Sequence, residues 1–293
     1  MELCIDFGGT EIKVAVVDGP EVVASAHRAI ASHSSDLETA AELARAVSDR
    51  VDSPVDAVGI AVPGVVDPRS QRMLHANAKY DFLRTVDLAQ WAQAQFGLPA
   101  IVENDARAAL AGEASSGCVA GESDVVLITL GTGIGTAVMM DGALLRGRTG
   151  HAGILGGHLT TAIDGPVCPC GNLGCGEALA SSWVLAEMYA GSMRDLFAAD
   201  GDTAIRERFL RTWGAVVTTL IHSYEPAAVV LSGGILRGGD AVSAPIESYV
   251  REHLWPSLAM PRFVTPPQPE LSVARGLAAL ARTLPAHRHL EEP

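Results

Sequence analysis

Two segments far apart in the chain carry one pattern: LCIDFGGTEIKVAVVD at residues 3–18 and VVLITLGTGIGTAVMMD at residues 125–141. Each reads as an apolar strand, a turn of glycine and threonine, and a second apolar strand running back beside the first. Glycines there let the backbone approach a ligand closely with its N–H groups exposed, and the threonine adds a hydroxyl. Two such hairpins, one per half, predict a duplicated α/β lobe with a phosphate held between the facing turns. Neither turn is a G-x-x-x-x-G-K-[ST] loop or a dinucleotide G-x-G-x-x-G opening a helix, which disfavours those two nucleotide-binding classes.

The remaining periodicity fits two α/β lobes. SDLETAAELARAVSDRV, DLAQWAQAQFG and DARAALAGEASSG have helical spacing, VDAVGIAVPGVVD and PAIVEN are strand-like, Ser181 to His222 is rich in helix, and AVVLSGG at 228–234 is a buried-strand signal. A chain of 293 residues exceeds what one core usually fills, so two lobes and a cleft are expected. The division falls as an N-terminal lobe at 1–105, completed by a C-terminal helix at about 272–293, and a larger C-terminal lobe at 106–271. The tail LPAHRHLEEP reads as frayed.

A formal charge of −13, with no basic run, would repel a nucleic-acid backbone or an anionic membrane, so small ligands are the expected partners. The chain enters a strand directly after Met1 and has no window of about 20 apolar residues, which predicts a cytoplasmic protein. Five cysteines, an odd number, argue against a secreted disulfide framework and leave clustered thiols free for metal.

Chemistry concentrates at four places. Asp6 ends the first strand ahead of Gly8, Gly9 and Thr10, a set that suits phosphate with Mg²⁺, and Gly131, Thr132 and Gly133 form the matching turn. Asn104 and Asp105 stand where a strand gives way to a helix. Asp105 there is either a plain N-cap or a general base that takes a hydroxyl proton. His158 with Cys168, Cys170 and Cys175, spaced Cys-x-Cys-x4-Cys among glycines, supplies a full tetrahedral set for structural Zn²⁺. With no open position such a metal is architectural, and it would pin Glu177 at the edge of a pocket.

Together DFGGTEIK, GIAVPGVVD, ENDARAAL, LGTGIGTAV, GHLTTAIDGPVCPCGNLGCGE and LSGGI resemble the motifs of the ROK family (repressor, open reading frame, kinase) over nearly the whole chain. The resemblance implies a two-lobed actin-like ATPase (ribonuclease H-like) fold with a zinc knuckle in the larger lobe, and ATP-dependent phosphorylation of a small sugar. It implies Asp105 as catalytic base, Asn104, Gly64 and Glu177 at the substrate, and His158 both on zinc and at the sugar. Asp6 falls near Mg²⁺; Gly8, Gly9, Thr10, Lys13, Gly131, Thr132 and Gly133 fall at the phosphates, and Gly233 and Gly234 at the nucleotide. A homodimer is expected by the same analogy.

Two departures lie on the acceptor side. The family's Glu-x-Gly-His has Leu155 in place of Glu, and KYDFL at 79–83 replaces Asn-Leu-x-Gly-Trp, putting Lys79 at the Asn position. Losing a hydrogen bond to a charged group costs about 1.5–3 kcal/mol. The expectation is therefore a kinase with altered acceptor choice: a hexose if Lys79 or Asp81 covers the lost contact, or a carbocyclic mimic such as a C7-cyclitol. A sugar-responsive repressor is disfavoured because the first strand starts at residue 3 and the charge opposes DNA; a silent sugar sensor is disfavoured by Asp105.

Overall fold

The computed structural model describes residues 1–76 and 78–285, and the side chains of 76, 78, 237 and 238 are outside the description, as is most of the tail read as frayed. The chain packs as two units: Met1–Ala120 with Arg146–His151 and Glu270 onward, and Gly121–Leu145 with Ala152–Pro269.

In the first unit, β1 (Glu2–Phe7), β2 (Glu11–Asp18) and β3 (Glu21–Ala29) form an antiparallel meander, followed by α1 (Ser35–Ser48) and β4 (Ala57–Val62). Then come a small hairpin of β5 (Gly64–Val66) and β6 (Met73–Ala76), a 3-10 segment at Ala78–Thr85, α2 (Leu88–Phe96), β7 (Ala100–Asn104) and α3 (Asp105–Ser116). The sheet order is β3-β2-β1-β4-β7, with β1, β4 and β7 parallel.

The second unit repeats this plan. Strands β8 (Val125–Leu130), β9 (Ile134–Met140) and β10 (Ala143–Leu144) make the meander, and β11 (Ala228–Ser232) and β12 (Arg262–Val264) extend it in parallel, in the order β10-β9-β8-β11-β12. Among them lie α4 (Gly176–Leu179), α5 (Ser182–Met188), α6 (Met193–Leu196), α7 (Thr203–Tyr224) and α8 (Asp240–His253), and α9 (Pro269–Ala281) follows β12. The duplicated hairpin seen in the sequence is thus a duplicated five-stranded topology, and in each copy the Gly/Thr turn joins the first two strands.

Each sheet buries Val, Ile and Leu on both faces, as expected of parallel strands covered by helices. In the first unit one face packs on α1, where Ala40, Ala44 and Val47 meet Leu3, Ile5, Val14 and Val16. The other face is lined by small residues, Cys4, Ala15 and Ala61, with Ala108 of α3 and Leu277 and Ala278 of α9 packed in the same cluster. Closeness there rests on glycine: a Cβ on Gly276 would overlap the Ala108 carbonyl, and one on Gly112 the Ser272 carbonyl. Gly276→Val is therefore expected to force α3 and α9 apart and to cost about 3 kcal/mol or more. A urea midpoint within error of wild type would contradict this packing.

Candidate active site

The first unit assembles its polar groups at the C-terminal ends of β1 and β7, the usual ligand side of a parallel sheet. β7 runs straight into α3, and Asn104, not Asp105, is the N-cap: its Oδ1 accepts the Arg107 N–H at 3.1 Å. Its Nδ2 donates to the Gly64 carbonyl at 3.1 Å and to Asp105 Oδ1 at 2.9 Å, so both amide hydrogens bracket neighbouring protein groups. Gly64 must be glycine for a separate reason: a Cβ would overlap the His75 carbonyl on the paired strand β6.

Asp105 Oδ1 also accepts the Ala106 N–H at 2.8 Å, which leaves Oδ2 as its open oxygen. Burial pushes the carboxyl up to about 6, against the lowering effect of the Ala106 and Asn104 hydrogen bonds. Asp6 is pushed further, to about 7, first by burial and then by the charge of Asp105, with Lys13 opposing. Asp6 Oδ1 is buried with no hydrogen-bond partner. An unpartnered buried carboxylate oxygen beside a second carboxylate fits a site completed by a divalent cation such as Mg²⁺, which takes oxygen ligands.

Asp6 yields a test of this electrostatic strain. A carboxyl raised from the ordinary 3.8 to about 7 binds its proton more tightly in the folded chain, so its favourable contribution is present at low pH and lost as pH rises through about 7. Without metal, Asp6→Asn is expected to melt higher than wild type at pH 8 and equally at pH 4. A variant less stable than wild type at pH 8 would show that the carboxylate is satisfied.

Behind Asn104 and Asp105 lies an ion cluster that sequence reading did not find. Glu103 is buried; its Oε1 accepts the Asn104 N–H at 2.9 Å and faces Arg107 Nη1 at 3.4 Å, and its Oε2 accepts from Arg146 Nε at 2.9 Å and Nη2 at 2.6 Å. Arg107, fully buried, also donates to the Gly150 carbonyl at 2.8 Å. These partners are brought together only by the fold, apart from the i,i+4 spacing of Glu103 and Arg107.

At the first Gly/Thr turn, Gly8 donates to the Glu11 carbonyl at 3.0 Å, and Gly9 and Thr10 are exposed. Lys79 Nζ donates to the Gly9 carbonyl at 2.9 Å, and the Tyr80 hydroxyl to the Gly8 carbonyl at 2.6 Å. Tyr80 is fully buried and was missed from sequence.

In the second unit, the Gly131 N–H closes the turn on the Gly133 carbonyl at 3.0 Å, while Ser182 donates its N–H and hydroxyl to the Gly131 carbonyl at 3.1 and 2.7 Å. Thr132 is exposed at the tip. Glu177 sits behind this turn: Oε2 accepts the Ile134 N–H at 2.9 Å, and a Cβ on Gly133 would overlap that oxygen. Gly233 has φ +112 where a side chain would strike the Leu130 carbonyl, and Gly234 follows it into a cavity of about 920 Å³. Ser182, Leu185, Met193, Ile235 and Val242 also line that cavity, whose size suits a nucleoside.

His158, Cys168, Cys170 and Cys175 converge as the spacing predicts, with all ligand atoms within 4.8 Å of one another. Cys168 Sγ lies 3.6 Å from His158 Nδ1 and Cys170 Sγ 3.7 Å from Cys175 Sγ. A tetrahedron with Zn–S bonds of about 2.3 Å and a Zn–N bond of about 2.05 Å has edges of about 3.6–3.8 Å, so both of these separations match its edges and the donor set suits a zinc ion. Asn172 Nδ2 donates to Cys175 Sγ at 3.4 Å, a contact that favours thiolate. Ligation through Nδ1 leaves His158 Nε2 for a further contact.

A family model described as ROK family matches residues 2–284. The chain belongs to the ROK family. It is 32% identical over 282 residues to a glucokinase of Thermotoga maritima, covering 86% of this chain and 88% of that protein. The crystal structure of a ROK family glucokinase from Streptomyces griseus in complex with glucose and AMPPNP superposes with a TM-score of 0.82 and 27% identity, over 97% of this chain and 99% of that one. A xylose repressor of Bacillus spizizenii is 28% identical over 211 residues, covering 69% of this chain and 54% of that protein. The ROK assignment makes the duplicated sheets those of the actin-like ATPase fold. Against the ROK pattern, Leu155 is 43% exposed, close in sequence to His158, whose N–H donates to the Leu155 carbonyl at 2.9 Å. Asp81 is held in an ion pair with Arg84 at 2.8 Å.

No helix among the described residues is long and apolar enough to cross a membrane.

Proposed function

We propose that this ROK chain is an ATP-dependent kinase that transfers the γ-phosphoryl group to a hydroxyl of a small sugar or sugar-like polyol, with a hexose such as glucose as the default acceptor. The observation that carries the reading is Asp105: fixed through Oδ1, open at Oδ2, and raised by burial to about 6, it is poised to take a hydroxyl proton near neutral pH. Sugar-kinase relatives and the AMPPNP-bound neighbour support the same chemistry.

In this mechanism the acceptor oxygen attacks the γ-phosphorus as its proton passes to Asp105 Oδ2; the new O–P bond forms, the bond to the β-phosphate oxygen breaks, and ADP leaves. Asn104 keeps the carboxylate aimed, and the buried Glu103 cluster fixes the backbone beneath it. In the first unit the Gly9 and Thr10 amides would be the donors to phosphate; in the second, Gly131, Thr132, Gly233 and Gly234 with the adjoining cavity would be the nucleotide-binding groups. Mg²⁺, when bound at Asp6, would neutralise polyphosphate charge. His158, Cys168, Cys170 and Cys175 would hold Zn²⁺, and a fixed Cys175 would steady Glu177 two residues on, whose Oε2 accepts the Ile134 N–H beside the Gly133 turn.

Leu155 favours a second reading of the acceptor. An apolar side chain where the ROK pattern has a carboxylate removes one hydrogen-bond partner of the acceptor, so an acceptor that lacks or repositions that hydroxyl loses less there, and a carbocyclic mimic such as a C7-cyclitol is one candidate class. A coupled ADP-release assay with Mg-ATP and glucose, mannose, fructose, N-acetyl sugars and C7-cyclitols tests both. Saturable turnover with a hexose supports the default, turnover with a cyclitol alone supports the second reading, and silence with every acceptor points to a non-catalytic sugar sensor.

A further inference from the structure

Of the 21 lysines and arginines in the chain only two are lysines, Lys13 and Lys79, and both stand at the first Gly/Thr turn. Lys13 is the cross-strand partner of Asp6 and offsets its charge. Lys79 reaches the turn from a different part of the chain, with Nζ 2.9 Å from the Gly9 carbonyl. The adjoining Tyr80 is buried, packs edge-on against Phe7 at 6.0 Å and donates to the Gly8 carbonyl, so the backbone that follows Lys79 is anchored to the end of β1 where the turn begins.

Use of the two cation types differs. Arginines pair with carboxylates, as in Arg28–Glu42, Arg146–Glu103 and Arg262–Glu122, whereas among the described residues neither lysine is in an ion pair. An ammonium has three donors, and Lys79 spends one on Gly9. The turn itself is short of donors for an anion, because the Gly8 N–H is taken by Glu11 and only those of Gly9 and Thr10 remain. Lys13 is opposed by Asp6, and Glu11 and Asp105 add two further carboxylates, so a polyphosphate placed there gains from a second cation. A compact, strongly hydrated point charge suits a single phosphate oxygen.

We propose that Lys79 is a catalytic residue that binds the donor's terminal phosphoryl group at the Gly8–Thr10 turn, and not a ligand of the acceptor. The proposal deepens the kinase reading and rests on it. The turn follows Asp6, and Asp6 feels the charge of Asp105, so this is the end of the donor where a hydroxyl proton is taken. A cation held there by the backbone stabilises charge on the phosphoryl oxygens as the group leaves ADP.

Two lysines in the chain make the test direct. The protein is acetylated with sulfo-N-hydroxysuccinimide acetate, alone and with Mg²⁺ plus AMPPNP, Mg²⁺ plus ADP, or glucose, and each site is followed by peptide mass spectrometry with the Met1 amine as control. AMPPNP binding is measured on the same sample by calorimetry. AMPPNP is expected to slow acetylation of Lys79 by about tenfold, and ADP or glucose by less than about twofold. If AMPPNP binds and Lys79 reacts at its unprotected rate, or glucose alone protects it, this assignment falls and the kinase reading stands; if AMPPNP does not bind, both fall. Lys79→Met should lower kcat by about 100-fold and move the acceptor KM by less than about threefold, with Lys79→Arg recovering part of the loss. An unchanged kcat with a raised acceptor KM would overturn it.

Discussion

Asp105→Asn is expected to remove phosphoryl transfer and to leave nucleotide binding intact. Asn preserves the shape of the side chain and the oxygen that accepts from Ala106, but it cannot take a proton, so kcat should fall by about a thousandfold or more while the Kd for AMPPNP stays within about threefold. The pH profile of the native enzyme follows from the same carboxyl. Burial raises it to about 6, so below that pH the group is protonated and idle, and kcat/KM should rise with pH through about 6 and level off above about 7. Because Asp6 and Asp105 interact, the profile reports the pair as well as either group. A profile flat from pH 5 to 8, or an Asn variant with near-native turnover, would remove Asp105 from the role of base.

The second large effect is expected at the knuckle. Cys175 is fully buried, contacts Cys170, Asn172 and the His158 carbonyl, and begins the turn that leads into Glu177. Cys175→Ser should reduce bound zinc from one ion per chain to nearly none. Folding free energy stored in a structural zinc site is then lost; a loss of about 3–5 kcal/mol corresponds to a fall of about 10 °C or more in Tm for a domain of this size. Cys170→Ser, at the exposed ligand, should lose less. Elemental analysis and calorimetry check both, and a chain that carries no zinc and keeps its Tm in a strong chelator would rule the metal out.

What could be read from the sequence was whatever demands a particular residue from the backbone or from a metal. Gly8, Gly133 and Gly233 are required by close approach or positive φ, and the Cys-x-Cys-x4-Cys run with His158 is required by tetrahedral ligation; all announce themselves locally. The β1–β2 and β8–β9 hairpins were legible for the same reason. Helix α8 was not, because Pro245 lies inside it and the glycine-rich lead before Asp240 reads as loop. The helix-rich stretch after Ser181 is broken into three near Gly191 and Gly201, where short-range signals are ambiguous. The tie of Lys79 to Gly9 and the Glu103–Arg107–Arg146 cluster depend on which segments the fold brings together, and no spacing encodes them. Asn104 shows a finer limit: the sequence marks the strand-to-helix junction, but only the structure shows that Asn104 takes the cap and thereby frees Asp105 Oδ2.

The measurement to make first is phosphorus NMR of Mg-ATP incubated with the protein and each acceptor, native and Asp105→Asn in parallel. A new phosphomonoester resonance that grows in step with ADP, appears only with an acceptor, and is absent from the variant is the result expected of a kinase using Asp105. Release of inorganic phosphate alone, or a phosphomonoester made equally by the variant, would contradict it.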